Sequence, residues 1–389
     1  MIKRASPACA GLLLLALVGA GCAHTNVPSL SEAAIEEPEE PMLLSQAATE
    51  EFQLEHSGFV VSLPETEAYL LQIAQTLAGA DTALAQSLRV RIVQDPTLNA
   101  FALPNGALFV HTGLLARLEN EAQIATILAH EMSHVEERHA LKRYRQTKSN
   151  LAWMNVLTVS TGGYGSLLGG LGALASVSGY SRDLERDADV HGFLRLREAG
   201  YDLHSTVQVF DLLQRESERS SRKEPFFFGS HPRIAERQVS FGNLLVQYGV
   251  PETPGRLGET DYVRHLPPLL RLDIAAGLRI GDQEGAAQQL NRLKALAPYH
   301  VETAYLEAEW HRKGGAAGAA TEAIPLYRRA ITLDASYAPA WRGLGLTLGS
   351  VGDTREASMA LRRYLDLSPV ANDRAHMLQL ISTWNSPAS

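Results

Sequence analysis

The stretch His130-Glu131-Met132-Ser133-His134 places two histidines four residues apart, with a glutamate directly after the first. Four residues of α-helix turn through roughly 400°, so side chains at this spacing lie about 40° apart around the axis and about one turn apart along it. Both imidazoles can then bind one divalent cation, while Glu131 points to a different side and can take a proton from water. The pattern predicts a metal site that hydrolyses peptide bonds.

Two further signals predict a helix around this motif. Asn120 with Gln123 three residues later is typical of a capping box at a helix start. Apolar residues at spacings of three and four form a stripe along the same segment, consisting of Ile124, Ile127, Leu128, Met132 and Val135. The alternative is a chance motif on a solvated helix face, expected on the order of one time in a hundred in such a chain.

A charged cluster at residues 180–189 supplies the third ligand that a catalytic zinc requires. Glu185 and Asp189 are four residues apart, so they share one face of a second helix that runs to a predicted cap at Gly200. We expect Glu185 to bind one Zn²⁺ per chain with His130 and His134, and Asp189 to orient a ligand imidazole. The alternative is a helix surface of alternating charge.

Several segments between residues 90 and 240 carry a family resemblance: 99–106, 110–115, the zinc helix, 185–189, and 230–233 with Arg237. The sequence resembles the zinc metallopeptidases that include HtpX and the CAAX prenyl protease, and within them the periplasmic BepA-like branch with C-terminal tetratricopeptide (TPR) repeats. The resemblance implies that His130, His134 and Glu185 bind zinc and that Glu131 is the general base. It also implies that His231 lies near the metal and that Arg237 matches an arginine that follows it.

Four histidines outside the zinc motif have open or minor roles. His231 precedes Pro232 and is interpreted as a donor to the developing oxyanion, or as a resting-state zinc ligand that must move away before water binds. The alternative is an ordinary loop histidine. His139 lies nine residues beyond His130, about half a turn around a continuous helix, so it is predicted to be structural. His111 and His191 are predicted to be packing or surface residues.

Short strands are predicted at residues 90–93, 99–103 and 107–111, the last two separated by the turn Pro104-Asn105-Gly106. An exposed strand edge near the metal would let an unfolded peptide add as a further strand, held by main-chain hydrogen bonds. Asn99, Phe101 and Ala102 are therefore the candidate substrate-binding residues, and unfolded proteins the expected substrates.

The N-terminus has the pattern of a secretory signal peptide over residues 1–21, with Lys3, Arg4 and an apolar run. Gly19-Ala20-Gly21-Cys22 resembles a bacterial lipobox, which predicts lipidation at Cys22 and anchoring of a periplasmic protein to the outer membrane by lipid. The acidic, proline-containing residues 22–50 are interpreted as the lipidated cysteine followed by a disordered tether. The net charge of -8 provides no basic field for nucleic acid.

An uncharged stretch runs from Ser149 to Ser181. Glycines at positions 162, 163 and 165 split it into two arms, each shorter than the ~20 residues that cross a bilayer. We expect a helical hairpin over the active-site cleft, which touches the membrane or a partner, rather than a transmembrane span.

The C-terminal part has the spacing of TPR units, in which helix pairs bury their apolar faces by stacking. The residues that fit are Ala323, Tyr327, Ala330, Trp341, Leu344, Gly345, Ala357, Leu361 and Pro369, with a weaker copy at Ala286, Leu290 and Leu293. The array is expected to bind a protein partner or a substrate tail, or else only to stabilise the protease. The predicted boundaries are 51–250 for the peptidase domain, 251–266 for a linker, 267–371 for the repeats and 372–389 for a capping helix and tail.

The predicted fold class is α+β: a mainly helical, gluzincin-type metallopeptidase domain with a small β-sheet, followed by an all-α TPR array. The predicted function is zinc-dependent hydrolysis of unfolded or misassembled envelope proteins. By resemblance alone, the partner is the β-barrel assembly machinery, reached through the repeats. The alternative is a TPR-based chaperone or assembly factor with latent or minor proteolysis.

Overall fold

The computed structural model of the protein describes residues 27–31, 37–147, 180–219, 234–249, 253–314 and 318–385. The predicted signal peptide, the lipidation site at Cys22, His231 and nearly all of the uncharged stretch lie outside the described residues. Among the helices that the structure describes, none is both long enough and apolar enough to cross a membrane.

The first part of the chain combines helices with one small mixed sheet. Its helices are Glu40–Glu55 (α1), Pro64–Ala78 (α2), Thr82–Ser87 (α3), Thr112–Arg117 (α4), Glu121–Glu136 (α5), His139–Thr147 (α6), Arg182–Glu198 (α7), His204–Arg219 (α8) and Ile234–Tyr248 (α9). Its strands are Val60–Val61 (β1), Arg89–Val93 (β2), Ala100–Ala102 (β3) and Ala107–His111 (β4).

The sheet has the order β1-β2-β4-β3, in which β2 and β4 are parallel and the other neighbours are antiparallel. Strands β2, β3 and β4 confirm the three strands predicted from the sequence. The turn between β3 and β4 requires glycine, because Gly106 has a φ of 86° and an added Cβ would lie 2.6 Å from the Ser87 carbonyl oxygen. Strand β3 is at the sheet edge, where it pairs with β4 on one side.

The predicted zinc helix is α5, and it begins as the sequence indicates. Asn120 Oδ1 accepts a hydrogen bond from the Gln123 amide at 3.0 Å, and Gln123 Oε1 accepts from the Glu119 amide at 2.7 Å. Residues 121–135 are buried on all sides, more than a single apolar stripe predicts, since the sheet, α2, α7 and α8 enclose the helix. Burial of the whole helix keeps the motif in a site of restricted water access.

The predicted tether of residues 22–50 is wrong over its last part. Helix α1 starts at Glu40, and its own residues Leu43 and Ala47 are buried. The acidic run that indicated disorder is matched by cations of the α5–α6 region: Arg138 pairs with Glu40, and Arg145 pairs with Glu37 and Glu39. Composition alone does not reveal such partners, which are about a hundred residues away in the chain.

The second part of the chain is all helical. Its helices are Glu259–Ile280 (α10), Gln283–Leu296 (α11), Val301–Lys313 (α12), Ala319–Leu333 (α13), Ala338–Ser350 (α14), Thr354–Leu367 (α15) and Arg374–Asn385 (α16). Neighbouring helices pack in pairs, and small residues set their close approach. An added Cβ at Gly343 would lie 2.3 Å from the Tyr327 ring, and one at Gly345 would lie 2.7 Å from the Leu361 side chain. The predicted fold class is thereby confirmed.

The predicted linker of residues 251–266 is wrong in its second half, because α10 already starts at Glu259. Tyr262 is buried, and its hydroxyl donates to the Leu115 carbonyl at the end of α4 at a distance of 2.6 Å. A single hydrophobic core extends from the peptidase part into the first repeat helices, and it includes Leu70, Ile92, Leu128, Phe193, Leu270 and Leu290. The two parts are therefore packed together across a shared core.

Candidate metal centre

The structure brings His130, His134 and Glu185 together from two helices. Their ligand atoms lie within 4.8 Å of one another, and all three residues are buried. The Nε2 atoms of the two histidines are 3.1 Å apart, and the Glu185 carboxylate oxygens lie 3.4 Å from His130 Nε2 and 3.7 Å from His134 Nε2. This is the convergence predicted from the spacing within each motif.

Helix α7 delivers Glu185 through its first turn and through a close contact with α5. Ser181 caps the helix, and its hydroxyl oxygen accepts from the Leu184 amide at 3.4 Å. One turn after Asp189, an added Cβ at Gly192 would lie 3.3 Å from the His130 backbone nitrogen. The absence of a side chain at Gly192 thus allows α7 to approach the backbone of the histidine helix.

The three residues fit a divalent metal ion. Two imidazole nitrogens and a carboxylate, facing one another in a buried site, are the donors of a three-ligand catalytic centre. A cavity of about 240 Å³ between α7 and α9 is lined by Tyr180, Glu185, Asp189 and Arg237 among others, so it reaches one of the three side chains. The donor set of two histidines and one carboxylate matches a catalytic rather than a structural zinc site.

Asp189 and Arg237 lie behind His130. Asp189 Oδ1 is 3.0 Å from His130 Nδ1 and accepts from Arg237 Nη2 at 2.7 Å. Arg237 Nη2 is also 2.9 Å from His130 Nδ1. If Nδ1 carries the imidazole proton, it donates to Asp189 and leaves the Nε2 lone pair facing His134 and Glu185, where it could bind a metal. Burial and the Arg237 cation lower the pKa of His130, while Asp189 and Glu185 outweigh them and raise it to about 9.

Glu131 is 2% exposed and lies within electrostatic reach of two groups around the centre, Arg237 and Tyr180. Burial raises the pKa of the Tyr180 hydroxyl, and the negative charges of Glu131 and Glu185 raise it further. The Tyr180 ring stacks on the His134 ring, with centroids 4.0 Å apart and planes 14° apart. This contact was not predicted, since the sequence offers no signal that joins position 180 to the histidine helix.

The candidate substrate-binding residues lie on and beside the edge strand β3, which packs against α5. The Phe101 ring stacks on Phe109 with centroids 5.1 Å apart. Asn99 is buried, its carbonyl accepts from the His111 amide, and its Oδ1 has no hydrogen-bond partner within the described ranges. The role of Asn99, Phe101 and Ala102 in substrate binding stays a prediction.

His139 lies closer to the metal centre than the sequence indicated. Helix α5 ends at Glu136, Arg138 adopts a left-handed φ of 51°, and His139 opens α6 with its side chain folded back toward His134. The half-turn argument assumed one continuous helix, and residues 136–139 contain neither glycine nor proline to indicate the break. Burial lowers the pKa of His139 more than Asp187 raises it.

Comparison with known proteins agrees with this site. Residues 64–240 match the model of Peptidase family M48, so this part of the chain is a metallopeptidase domain of that family.

Three relatives illustrate the range of similar proteins. A putative beta-barrel assembly-enhancing protease of Vibrio cholerae is 26% identical over 199 residues, which cover 49% of this chain and 41% of that protein. The mitochondrial metalloendopeptidase OMA1 of Arabidopsis thaliana is 34% identical over 129 residues, covering 33% of this chain and 26% of that one. Metalloprotease YcaL of Escherichia coli is 28% identical over 172 residues, which cover 43% of this chain and 65% of that protein. The matched region thus spans less than half of the first two relatives.

Solved TPR structures also match, at low similarity. A TPR protein of Thermus thermophilus, TTC0263, is 14% identical with a TM-score of 0.28, covering 51% of this chain and 83% of that one. The TPR2AB domain of yeast Sti1 is 12% identical with a TM-score of 0.28, and the match covers 68% of this chain and 92% of that one.

Proposed function

We propose that the protein is a zinc-dependent endopeptidase that hydrolyses unfolded or misassembled proteins of the bacterial envelope. The observation that carries the proposal is the buried meeting of His130, His134 and Glu185, with Glu131 on the same helix as the two histidines. Two histidines and a glutamate are a common ligand set of catalytic zinc.

In this proposal each group at the centre has one task. His130, His134 and Glu185 would hold one Zn²⁺, which when bound acidifies water and polarises a carbonyl group. Glu131 takes a proton from the attacking water and delivers it to the leaving amine nitrogen. Asp189 and Arg237 hold the His130 ring from its Nδ1 side, at the distances that the structure shows.

His231 is proposed as a donor to the developing oxyanion, and its other candidate role is to block the metal at rest. The variant His231→Ala separates the two roles in a peptide-hydrolysis assay. A loss of activity supports the donor, whereas hydrolysis above that of the wild type supports the block.

The edge strand β3 is the proposed substrate platform. Its outer side has no strand neighbour among the described residues, and it lies beside the helix that carries Glu131. A peptide added here gains main-chain hydrogen bonds, which demand an extended conformation but little sequence specificity. Unfolded chains meet that demand, and compact folded proteins do not.

The location and the partner complete the proposal. Lipidation at Cys22 would anchor the protein in the outer membrane and keep the enzyme in the periplasm, and the helical repeats would bind the β-barrel assembly machinery. The names of the relatives from Vibrio cholerae and Escherichia coli, beta-barrel assembly-enhancing proteases, support this placement.

A second candidate is a TPR-based chaperone or assembly factor in which proteolysis is minor or latent. The observation that favours it is the extent of the helical array, which continues through seven described helices beyond the peptidase part. In that case, cells that lack the protein would be rescued by a Glu131→Gln variant as well as by the wild type.

Hydrolysis of reduced, unfolded casein by the purified protein tests the proposed function. We expect Glu131→Gln to retain its metal and to lose about 10²–10⁴-fold in rate, because the general base is removed. The matched control is Glu259→Gln, an exposed change of the same chemistry at the start of α10, which should leave the rate unchanged. Equal rates for Glu131→Gln and wild type, or full activity after metal removal, would contradict the proposal.

A further inference from the structure

The Nδ1 atom of His134 faces a second histidine rather than a carboxylate. His139 is completely buried, and its Nδ1 lies 2.8 Å from His134 Nδ1. On the opposite side of the same ring, His139 Nε2 lies 3.1 Å from Asp187 Oδ2, on the exposed side of helix α7. The three side chains form a line from the protein surface to the metal centre.

The hydrogen bonds along this line determine where each proton lies when both imidazoles are neutral. An ionised carboxylate only accepts, so Asp187 places the His139 proton on Nε2 and leaves Nδ1 as an acceptor. His134 must then donate from its own Nδ1. The unprotonated Nε2 of His134 consequently faces His130 and Glu185, which is the tautomer that binds a metal.

We propose that His139 is a positioning residue, which together with Asp187 fixes the tautomer and the ring plane of His134 for metal binding. The inference rests on the proposed function, since it requires that the centre binds zinc. It gives both histidine ligands a partner on their far nitrogen: Asp189 for His130, and the pair of His139 and Asp187 for His134.

The backbone supports the same assignment. The left-handed φ of Arg138 costs free energy in a residue other than glycine, and its guanidinium is fixed by Glu40 of α1. The left-handed residue Arg138 reverses the chain direction immediately before α6. The imidazole of His139 therefore reaches His134 and is fully buried. Two ring contacts hold the His134 imidazole in place. The Tyr180 ring stacks on it, and the His139 ring makes a T-shaped contact with it, with centroids 4.9 Å apart.

Zinc affinity, measured by competition with a fluorescent chelator, tests the inference without relying on catalysis. His139→Leu keeps the apolar volume but removes the acceptor, and we expect an affinity loss of about 10–100-fold, as for other partners of ligand histidines. His139→Asn restores an acceptor near the position of Nδ1, and its affinity should lie closer to that of the wild type than to that of His139→Leu. A residue with only a packing role would show no such rescue.

His376→Leu is the matched control. This histidine is exposed on α16, the last helix that the structure describes, so its removal should leave zinc affinity unchanged. Should His139→Leu fail to fold, Asp187→Ala at the surface carries the test, with an expected loss of several-fold in affinity.

The inference is overturned if His139→Leu, or Asp187→Ala in its place, binds zinc as tightly as His376→Leu, or if His139→Asn recovers no zinc affinity relative to His139→Leu. A wild-type protein that binds zinc and shows the predicted affinity order, yet cleaves no unfolded casein, would support the inference and contradict the proposed function. A wild-type protein without zinc affinity would overturn both.

Discussion

Arg237 and Asp189 form a buried ion pair against His130, a proposed metal ligand. Arg237 donates to Asp189 Oδ1 from both Nε at 3.0 Å and Nη2 at 2.7 Å, and its Nε lies 3.3 Å from Asp189 Oδ2. Removal of one partner from a buried pair leaves an uncompensated charge, which costs more than the pair itself contributes.

We therefore expect Arg237→Met to lower the free energy of unfolding by about 3–5 kcal/mol. The measurement is urea denaturation of the metal-free protein. The double variant Asp189→Asn with Arg237→Met removes the orphaned charge, and it should be more stable than Arg237→Met alone. If the double variant were instead less stable by the sum of the two single effects, the two side chains would not interact.

Helices α5 and α7 form the candidate metal centre jointly, and Gly192 of α7 lies against the His130 backbone of α5. The variant Gly192→Val adds a branched side chain where even a Cβ lies 3.3 Å from the His130 backbone. The helices must then move apart, and Glu185 moves away from the histidines. We expect a loss of zinc affinity of tenfold or more, measured by chelator competition.

Gly242→Val in α9 is the control for this prediction, because a Cβ at Gly242 meets nothing within 4 Å. Both variants replace a helical glycine by valine, so the change in helix propensity is the same. They differ in whether the new side chain meets a neighbouring helix. Equal zinc affinity for both would show that Gly192 does not set the position of Glu185.

The same pair of helices shows which parts of the site the sequence predicts. The capping residues Asn120 and Gln123 and the four-residue spacings within each motif are local, so pattern alone located α5 and the side chains that converge. The position of His139 beside His134 was not predicted, because the break before it depends on a left-handed Arg138, and Glu40, which pairs with Arg138, is 98 residues away in sequence. Local patterns carry no information on such distant partners.

A buried charge network connects the peptidase part to the first repeat helices. Arg117 at the end of α4 is buried and bonds Asp273 of α10 at 3.1 Å and Glu216 of α8 at 2.9 Å. Arg219 of α8 pairs in turn with Asp282, the cap of α11. The network joins helices on either side of the predicted linker of residues 251–266, so the orientation of the array depends on charge as well as on apolar packing.

Asp273 makes this junction sensitive to pH. Burial raises the pKa of its carboxyl group to about 6, although Arg117 lowers it, and Oδ1 has no hydrogen-bond partner within the described part of the chain. The unfolded chain releases this proton near the ordinary value of 3.8. Between about pH 4 and pH 6 the native state therefore binds more protons than the unfolded state, so this group reduces stability as the pH rises.

The variant Asp273→Asn removes that titration. Relative to this variant, the wild type should lose up to about 3 kcal/mol of unfolding free energy between pH 4 and pH 6.5, since each pKa unit corresponds to about 1.4 kcal/mol. Urea denaturation of both proteins across this range provides the measurement, and the difference between the two curves isolates Asp273 from the other carboxylates. A difference that stays constant with pH would mean that Arg117 keeps Asp273 ionised throughout, and a difference of opposite sign would mean that the ion pair outweighs burial at this junction.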